Sequence, residues 1–357
     1  SGNGDSVIRV YDGHTGQWAS SHGKFIARDI GTYTFRGSTS EFRCAYLNGI
    51  GYAGGRLHVS WVWRDRFERT DARNQHDLCY AYSDDDGLTW KNSAGTGIGV
   101  TGTSFIHLDS PGIVVSPIAS RTGLANQNTQ YAYPDGGLHV ILPNRRRGVY
   151  HHHWRDAAGN WRVEALSFWG ARPELVGDDD RNLFLVFAQE DQLQIAKGVP
   201  DADGSGWSWS RVYRQADPGL AGEGQIDLSR WQSEQVLSVY WQEIPPNLLQ
   251  YGKRAPRDGL PTPLHVTDFH VPTPSLRQRP NPLSIWGSRR GQAMLPKDHL
   301  HRTPLTTGGS MKSMLRQRCV VVMSGASPPE RTSTSLPRRN DKLFRKWYRR
   351  SMGVWDH

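Results

Sequence analysis

Long apolar runs are missing from this sequence. No stretch approaches the ~18 apolar residues that a helical membrane span requires, so no segment reads as a transmembrane helix. Cysteine is scarce. The three present, Cys44, Cys79 and Cys319, make an odd count without metal-like spacing, which argues against both a disulfide framework and a zinc site. Cys44 and Cys79 fall in apolar, strand-like contexts and read as buried thiols. No metal motif is visible, and no cofactor is expected. The stretch from Ser1 has no methionine and no signal-peptide pattern, which leaves localisation open.

Positive charge is also missing from most of the chain, although the total is +9. Residues 271–357 hold 17 Lys/Arg against 4 Asp/Glu, whereas residues 1–270 hold 26 against 30. A nucleic-acid reading would have to rest on that last segment alone, and nucleic acid is not an expected partner.

What the chain does have is 14 Trp, 13 Tyr and 38 Gly, a mix that favours many short strands joined by glycine turns. One pattern recurs. A turn leads into an alternating strand, a second strand follows, and a turn closes on tryptophan. GGRLHVSWVW (54–63), GGLHVIL (136–142), NLFLVF (182–187) and VLSVYW (236–241) are the first strands of this pattern. HDLCYAYS (76–83), GVYHHHW (148–154), LQIAKG (193–198) and LLQYGK (248–253) are the second. SDDDGLTW (83–90), RDAAGNW (155–161) and PDADGSGW (200–207) are the closing turns, and YDGHTGQW (11–18) reads as the end of an earlier unit. In SDDDGLTW the Asp and Ser side chains can bond nearby backbone N–H groups, Gly87 can take a positive φ, and Trp90 returns as an apolar anchor.

The units span roughly 45–50 residues, with an insertion near 93–120, and four-stranded units of ~40–50 residues are the signature of β-propeller blades. The expected fold is therefore all-β: a propeller of four-stranded antiparallel blades at about 42–92, 126–165, 171–212 and 224–268, plus the end of one before position 20. Four to five blades that begin in mid-blade lead us to expect missing upstream blades. Residues 1–270 are read as a partial propeller. From about 272 the chain turns rich in Pro, Ser and Arg without alternating strands, so 271–357 is expected to be a low-order basic tail. The shift is abrupt enough to read as out-of-frame sequence, with a genuine basic tail as the alternative.

Propeller geometry sorts residues by face. The start of each innermost strand and the loop between the second and third strands share one end of the blade. That end is expected to gather Glu41, Arg43, Tyr46 and the loop from Arg64 to His76 in the first full blade, Asn126, Gln127, Gln130 and Arg145 to Arg147 in the next, Arg172, Glu174, Glu190 and Asp191 in the third, and Gln225, Asp227, Gln242 and Glu243 in the fourth. Guanidinium groups bind carboxylates through paired N–H donors, and amides suit sugar hydroxyls. The expected partner is an acidic polysaccharide or oligosaccharide. Each residue also has a structural reading: Arg43 and Arg172 as strand-end caps paired with Glu41 or Glu174, Arg145 in a solvated loop, His76 as a satisfied histidine beside Asp77. Tyr46 is the best single candidate for proton transfer. In HHH at 151–153 strand alternation sends His152 opposite to its neighbours, which disfavours a metal cluster.

SDDDGLTW matches the Asp-box of BNR-repeat proteins. The longer stretch FRGSTSEFRCAYLNGIGYAGGRLHVSWVWR, with NQHDLCYAYSDDDGLTWKNSAG, NQNTQYAYPDGGLHV and YHHHWRDAAGNW, resembles the BNR-repeat-containing family of seven-bladed propellers. That family is similar to the propeller ulvan lyases, the L-rhamnose-α-1,4-D-glucuronate lyases and a rhamnosidase group. The resemblance covers roughly residues 1–270. It implies β-elimination at a uronate, secretion, and a catalytic set of two histidines, a tyrosine and an arginine that falls upstream of an SGNG-like stretch similar to Ser1–Gly4. A later-blade tyrosine of the family maps to Tyr46, while Arg43 and His76 lie in the same matched segment without an assigned role. Where relatives carry a histidine, this chain has Cys44. Two other readings stay open: a sialidase-like or rhamnosidase-like hydrolase, and a non-catalytic glycan-binding propeller.

Overall fold

The central strands of blades 1 to 3 are apolar on both faces, and each of these blades has a sheet on either side to cover it. The computed structural model describes residues 4–12, 15–18, 23–66, 74–124, 128–216, 219–244, 263–270 and 318–324. A first sheet holds β1 (Ser6–Asp12), β2 (Gln17–Trp18) and β3 (Gly23–Ile26), followed by a short hairpin of β4 (Tyr33–Phe35) and β5 (Ser38–Ser40). Blade 1 runs through β6 (Arg43–Ala53), β7 (Arg56–Asp65), β8 (Gln75–Ser83) and β9 (Thr89–Lys91). Two insertion strands, β10 (Gly97–Val100) beside β9 and β11 (Val114–Ser116) beside β8, extend its outer edge. Blade 2 is β12 (Thr129–Ala132), β13 (Leu138–Asn144), β14 (Val149–Arg155) and β15 (Trp161–Ala165). Blade 3 is β16 (Glu174–Gly177), β17 (Leu183–Gln189), β18 (Gln192–Pro200) and β19 (Trp207–Arg214). Blade 4 has β20 (Gln225–Ile226), the short helix α1 (Leu228–Glu234), β21 (Val236–Gln242) and β22 (Leu264–His270). Neighbouring strands in every blade are antiparallel and consecutive in sequence, which is the propeller architecture the repeat implies.

Three differences from the sequence-based expectation stand out. The third strand of blade 4 is Leu264–His270, in register with Val236–Gln242, whereas LLQYGK at 248–253 lies outside the described residues. Pro245, Pro246, Pro256, Pro261 and Pro263 crowd the intervening segment and cannot donate to a ladder. A last strand, β23 (Arg318–Ser324), pairs along the whole of β1 from within the stretch read as a basic tail. Its run CVVVM is β-branched and apolar, the composition a strand needs. The Arg43 ion-pair partner is Asp65, not Glu41.

The blades stack face to face through four apolar seams. Ile8, Phe25 and Ile26 of the first sheet pack on Val59, Trp61, Trp63 and Trp90 of blade 1. Val62, Leu78 and Tyr80 meet Leu138, Val140 and Leu142 of blade 2. Ile141 and Tyr150 meet Leu183, Leu185 and Phe187 of blade 3. Val176, Val186 and Ile195 meet Leu237, Val239 and Trp241 of blade 4. Polar bolts cross the same seams: Tyr131 Oη and Trp231 Nε1 both donate to the Gly177 carbonyl, at 3.1 and 2.9 Å. A side chain at Gly177 would strike the Tyr131 and Tyr133 rings within 2.5 Å, so only glycine fits there.

The SDDDGLTW turn joins β8 to β9. Asp85 Oδ1 accepts from Thr89 N at 2.8 Å, Oδ2 from Thr89 Oγ1 at 2.6 Å, and Ser83 Oγ donates to Oδ1 at 2.7 Å. Gly87 takes φ +87° and donates to Ser83 Oγ at 2.8 Å. Trp90 is fully buried, stacks on Phe25 at 4.7 Å and donates to Thr101 Oγ1 at 2.9 Å. The same aspartate-to-i+4 bracket recurs at Asp156–Asn160 and Asp178–Asn182, where Oδ1 accepts the Asn backbone N–H at 2.8 and 2.7 Å. Asp85→Ala removes three side-chain bonds from one turn. We expect it to lower unfolding free energy by about 1–3 kcal/mol, against about 0–1 kcal/mol for Asp84→Ala, whose exposed pairs with Arg56 and Lys91 are solvent-screened. Equal losses in denaturant unfolding would contradict this.

Blade 2 also holds a buried histidine relay. His139 Nδ1 lies 2.9 Å from His152 Nε2, and His152 Nδ1 lies 3.0 Å from Glu164 Oε1, which also accepts from Trp209 Nε1 at 3.2 Å. Burial pushes His152 down to about 3 and His139 well below its ordinary value, with the neighbouring ring adding to the latter. The unfolded chain binds protons near pH 6.5 that the folded chain refuses, so these groups' stabilisation is full above that pH and is lost as pH falls from there toward about 3. We expect the melting temperature to fall across that window, with a shallower fall in His139→Gln. A flat profile from pH 7 to 4 would contradict this.

Candidate functional site

Strand direction decides which residues share an end of the blades. The starts of β6, β12, β16 and β20, the ends of β7, β13, β17 and β21, and the starts of β8, β14 and β18 lie together. The Asp85, Asp156 and Asp201 turns lie at the opposite end. Direct contacts align the inner strands. Asn128 Nδ2 donates to Asn48 Oδ1 on β6 at 2.9 Å. Leu175 N donates to Thr129 Oγ1 at 2.9 Å, and Ile226 N to Glu174 Oε2 at 3.4 Å. The starts of β12, β16 and β20 thus stand side by side, level with Asn48 in β6.

At the blade 1 portion, Arg64 NH1 donates to Tyr46 Oη at 2.7 Å, its guanidinium 5.5 Å from the ring centre. Tyr46 and Arg64 are both half-buried. Arg64 also stands opposite Cys44 in the ladder, and the Cys44 thiol is pushed up by burial. Arg43 and His76 lie on the other face of blade 1, the face that packs on the first sheet. Arg43 is fully buried; its NH1 donates to Ile30 O at 2.8 Å and its NH2 to Gly31 O at 2.8 Å, while Nε lies 3.4 Å from Asp65. His76, also fully buried, lies between Asp65 at 2.5 Å and Asp77 at 2.9 Å and stacks on Tyr33 at 3.6 Å. Burial alone would push His76 down, but the two carboxylates outweigh it and hold it above its ordinary value. His76 between two aspartates, with Arg43 on the other side of Asp65, forms a charge network that ties the 28–42 segment to β7 and β8.

At the blade 2 and blade 3 portion, Arg172 Nε lies 3.3 Å from Glu223, with both side chains partly exposed. Arg145 acts on Glu223 from the β13–β14 loop. Tyr150 Oη donates a short hydrogen bond to the Ala171 carbonyl and so holds the approach to Arg172. Arg172 therefore pairs with Glu223 and not with Glu174. Glu174, the first residue of β16, is pushed up to about 7, chiefly by burial and further by Glu223 nearby, against the pull of the Ile226 N–H. Glu223 is also raised by burial, less so because Arg172 and Arg145 hold its charge.

The structure thus brings Tyr46, Arg145 and Arg172 to one mouth. It places Arg43 and His76 on the opposite face of blade 1, toward the first sheet, and Gln130 in the seam with blade 2, where Nε2 donates to the His58 carbonyl at 3.3 Å. Asn126 and Gln127 lie outside the described residues. Arg64 and Glu174 are expected at this end from the sequence, without a role assigned to either; Glu223 is not, because it sits in a connecting loop. Among the described residues no three His, Cys, Asp or Glu side chains converge as a metal-holding set.

Residues 1–169 match the family described as BNR repeat-containing family member. No curated protein matches the sequence. Among solved structures, the NanB sialidase from Streptococcus pneumoniae is similar at 14% identity and a TM-score of 0.37, over 64% of this chain and 30% of that one. A candidate hydrolase from Bacteroides ovatus ATCC 8483 is similar at 8% identity and a TM-score of 0.32, over 60% and 59%. Kluyveromyces lactis Hsv2 is similar at 13% identity and a TM-score of 0.24, over 59% and 80%. The chain spans less than two thirds of the sialidase and of the Bacteroides ovatus protein. The family match covers the first blades, and four-stranded antiparallel sheets stacked face to face give this chain a β-propeller fold.

Proposed function

We propose that the mouth binds uronic-acid-containing glycans and that the chain is a carbohydrate-active propeller of the β-eliminating type. The observation that carries this reading is the Tyr46–Arg64 pair at 2.7 Å, on the same end of the blades as Arg145 and Arg172. Elimination at a uronate needs a cation at the carboxylate, a base at C5 and a proton for O4. The base removes the C5 proton, the electron pair forms the C4=C5 double bond, the C4–O4 bond breaks, and the departing oxygen takes a proton. Arg172 and Arg145 supply guanidinium groups of the kind that hold a carboxylate. Tyr46 is the proton-handling group. The hydrogen bond it receives from Arg64 fixes its oxygen and stabilises the phenolate form that takes the C5 proton. Arg43, His76 and Asp65 hold β6, β7 and β8, the strands that carry Tyr46 and Arg64, from the opposite face of blade 1.

The whole chain incubated with a rhamnose–glucuronate polysaccharide should generate the ultraviolet absorbance of an unsaturated uronate. Tyr46→Phe should lower that rate by about 10²-fold or more without lowering the melting temperature, and Arg172→Ala should raise KM. Reducing sugar released without unsaturation would assign hydrolysis instead. Binding without turnover, unchanged in Tyr46→Phe, would assign a glycan-binding module.

A further inference from the structure

The mouth holds a second group that the Tyr46 chemistry does not use. Glu174 opens β16 and is half-buried. Its one hydrogen bond among the described contacts is accepted from Ile226 N at 3.4 Å, and no cation pairs with it among the ion pairs of the described residues. Glu223, from the segment leading into β20, is paired with Arg172 at 3.3 Å and is also held by Arg145. Two carboxyl groups thus share one flank of the mouth, and both arginines serve only one of them. Tyr150, whose hydroxyl is committed to the Ala171 carbonyl, adds no charge there. Like charges close together favour a single ionised member of such a pair. The arginines select Glu223 as that member, which leaves Glu174 as the member that keeps a proton.

We propose that Glu174 is the proton donor of this mouth, delivering its proton to the glycosidic oxygen as the bond to that oxygen breaks, with Glu223 as the charged neighbour that sets it. This rests on the reading of the mouth as an acidic-sugar site. Thr129 and Asn128 link β16 through β12 to β6, so Glu174 lies two inner strands around the ring from Tyr46. A base on blade 1 and an acid on blade 3 then flank the axis, the arrangement that elimination needs when one group takes the C5 proton and another supplies the O4 proton. In the step, the Glu174 O–H bond breaks, the proton and the leaving oxygen join, and Glu174 is left as a carboxylate that regains its proton from water. Burial is consistent with this role: it pushes Glu174 to about 7, in reach of neutral pH.

The test uses the whole chain with 13C-labelled glutamate side chains. The Glu174 resonance, assigned by Glu174→Gln, should titrate near 7, and Glu223→Gln should move its midpoint downward. An ordinary carboxylate midpoint of about 4.3 would overturn the inference. Calorimetric binding of free D-glucuronate near pH 7.5, in buffers of different ionisation heat, provides the second arm. A new carboxylate in the mouth should draw a proton onto Glu174, so binding should take up protons in the wild type and not in Glu174→Gln, with affinity changed less than about 5-fold. Equal proton uptake in both proteins would overturn the inference. Absence of glucuronate binding would sink the acidic-sugar reading; the resonance midpoint still decides whether Glu174 keeps its proton.

Discussion

Face-to-face packing between neighbouring blades is the constraint on which everything else depends. A propeller sheet between two neighbours is covered on both faces, so its second and third strands carry no polar face to give to solvent, whereas β22 of blade 4 alternates with exposed residues. In β7 every residue from Leu57 to Trp63 is buried. Such a strand is stable only while the next blade stands against it. The seam residues Leu138, Val140 and Leu142 are as much a part of blade 1 as of blade 2. The largest of these side chains, Trp61, Trp63 and Trp90, cluster where the first sheet meets blade 1. Removing one would leave a cavity of the kind that costs about 3–5 kcal/mol.

The same packing makes the mouth rigid. Inner strands held side by side by Asn128–Asn48, Thr129–Leu175 and Glu174–Ile226 contacts cannot slide individually. Their first side chains are therefore held at defined positions. On the face of blade 1 turned to the first sheet, the Arg43–Asp65–His76–Asp77 network is buried, and removing one partner of such a network leaves an uncompensated charge. Rigid support under a polar rim is what a site requires if proton-transfer groups are to meet a flexible sugar in one geometry.

Much of this was legible in the sequence, and the limits have a physical origin. The SDDDGLTW turn could be read because all its bonds close within eight residues. The blades could be read because strand alternation repeats. Contacts that close over long separations could not. Arg43 resembled a rim residue because its partner, Asp65, is in the next strand, and the carbonyls of Ile30 and Gly31 that absorb its donors lie in the preceding loop. His152 stood out as one of three histidines in a row, yet what defines it is His139, its neighbour across the ladder. Glu223 sits in a connecting loop whose local pattern carries no sign of Arg172. The third strand of blade 4 was misplaced because a proline-rich segment separates it from its partner.

The central claim is that the inner-strand starts form one mouth and that an acidic sugar sits in it. A crystal structure with a glucuronate-containing oligosaccharide bound tests this most directly. We expect the uronate carboxylate against Arg145 and Arg172, with Tyr46 and Glu174 on opposite flanks of the sugar. A sugar bound at the other end, beside the Asp85 and Asp156 turns, would contradict it.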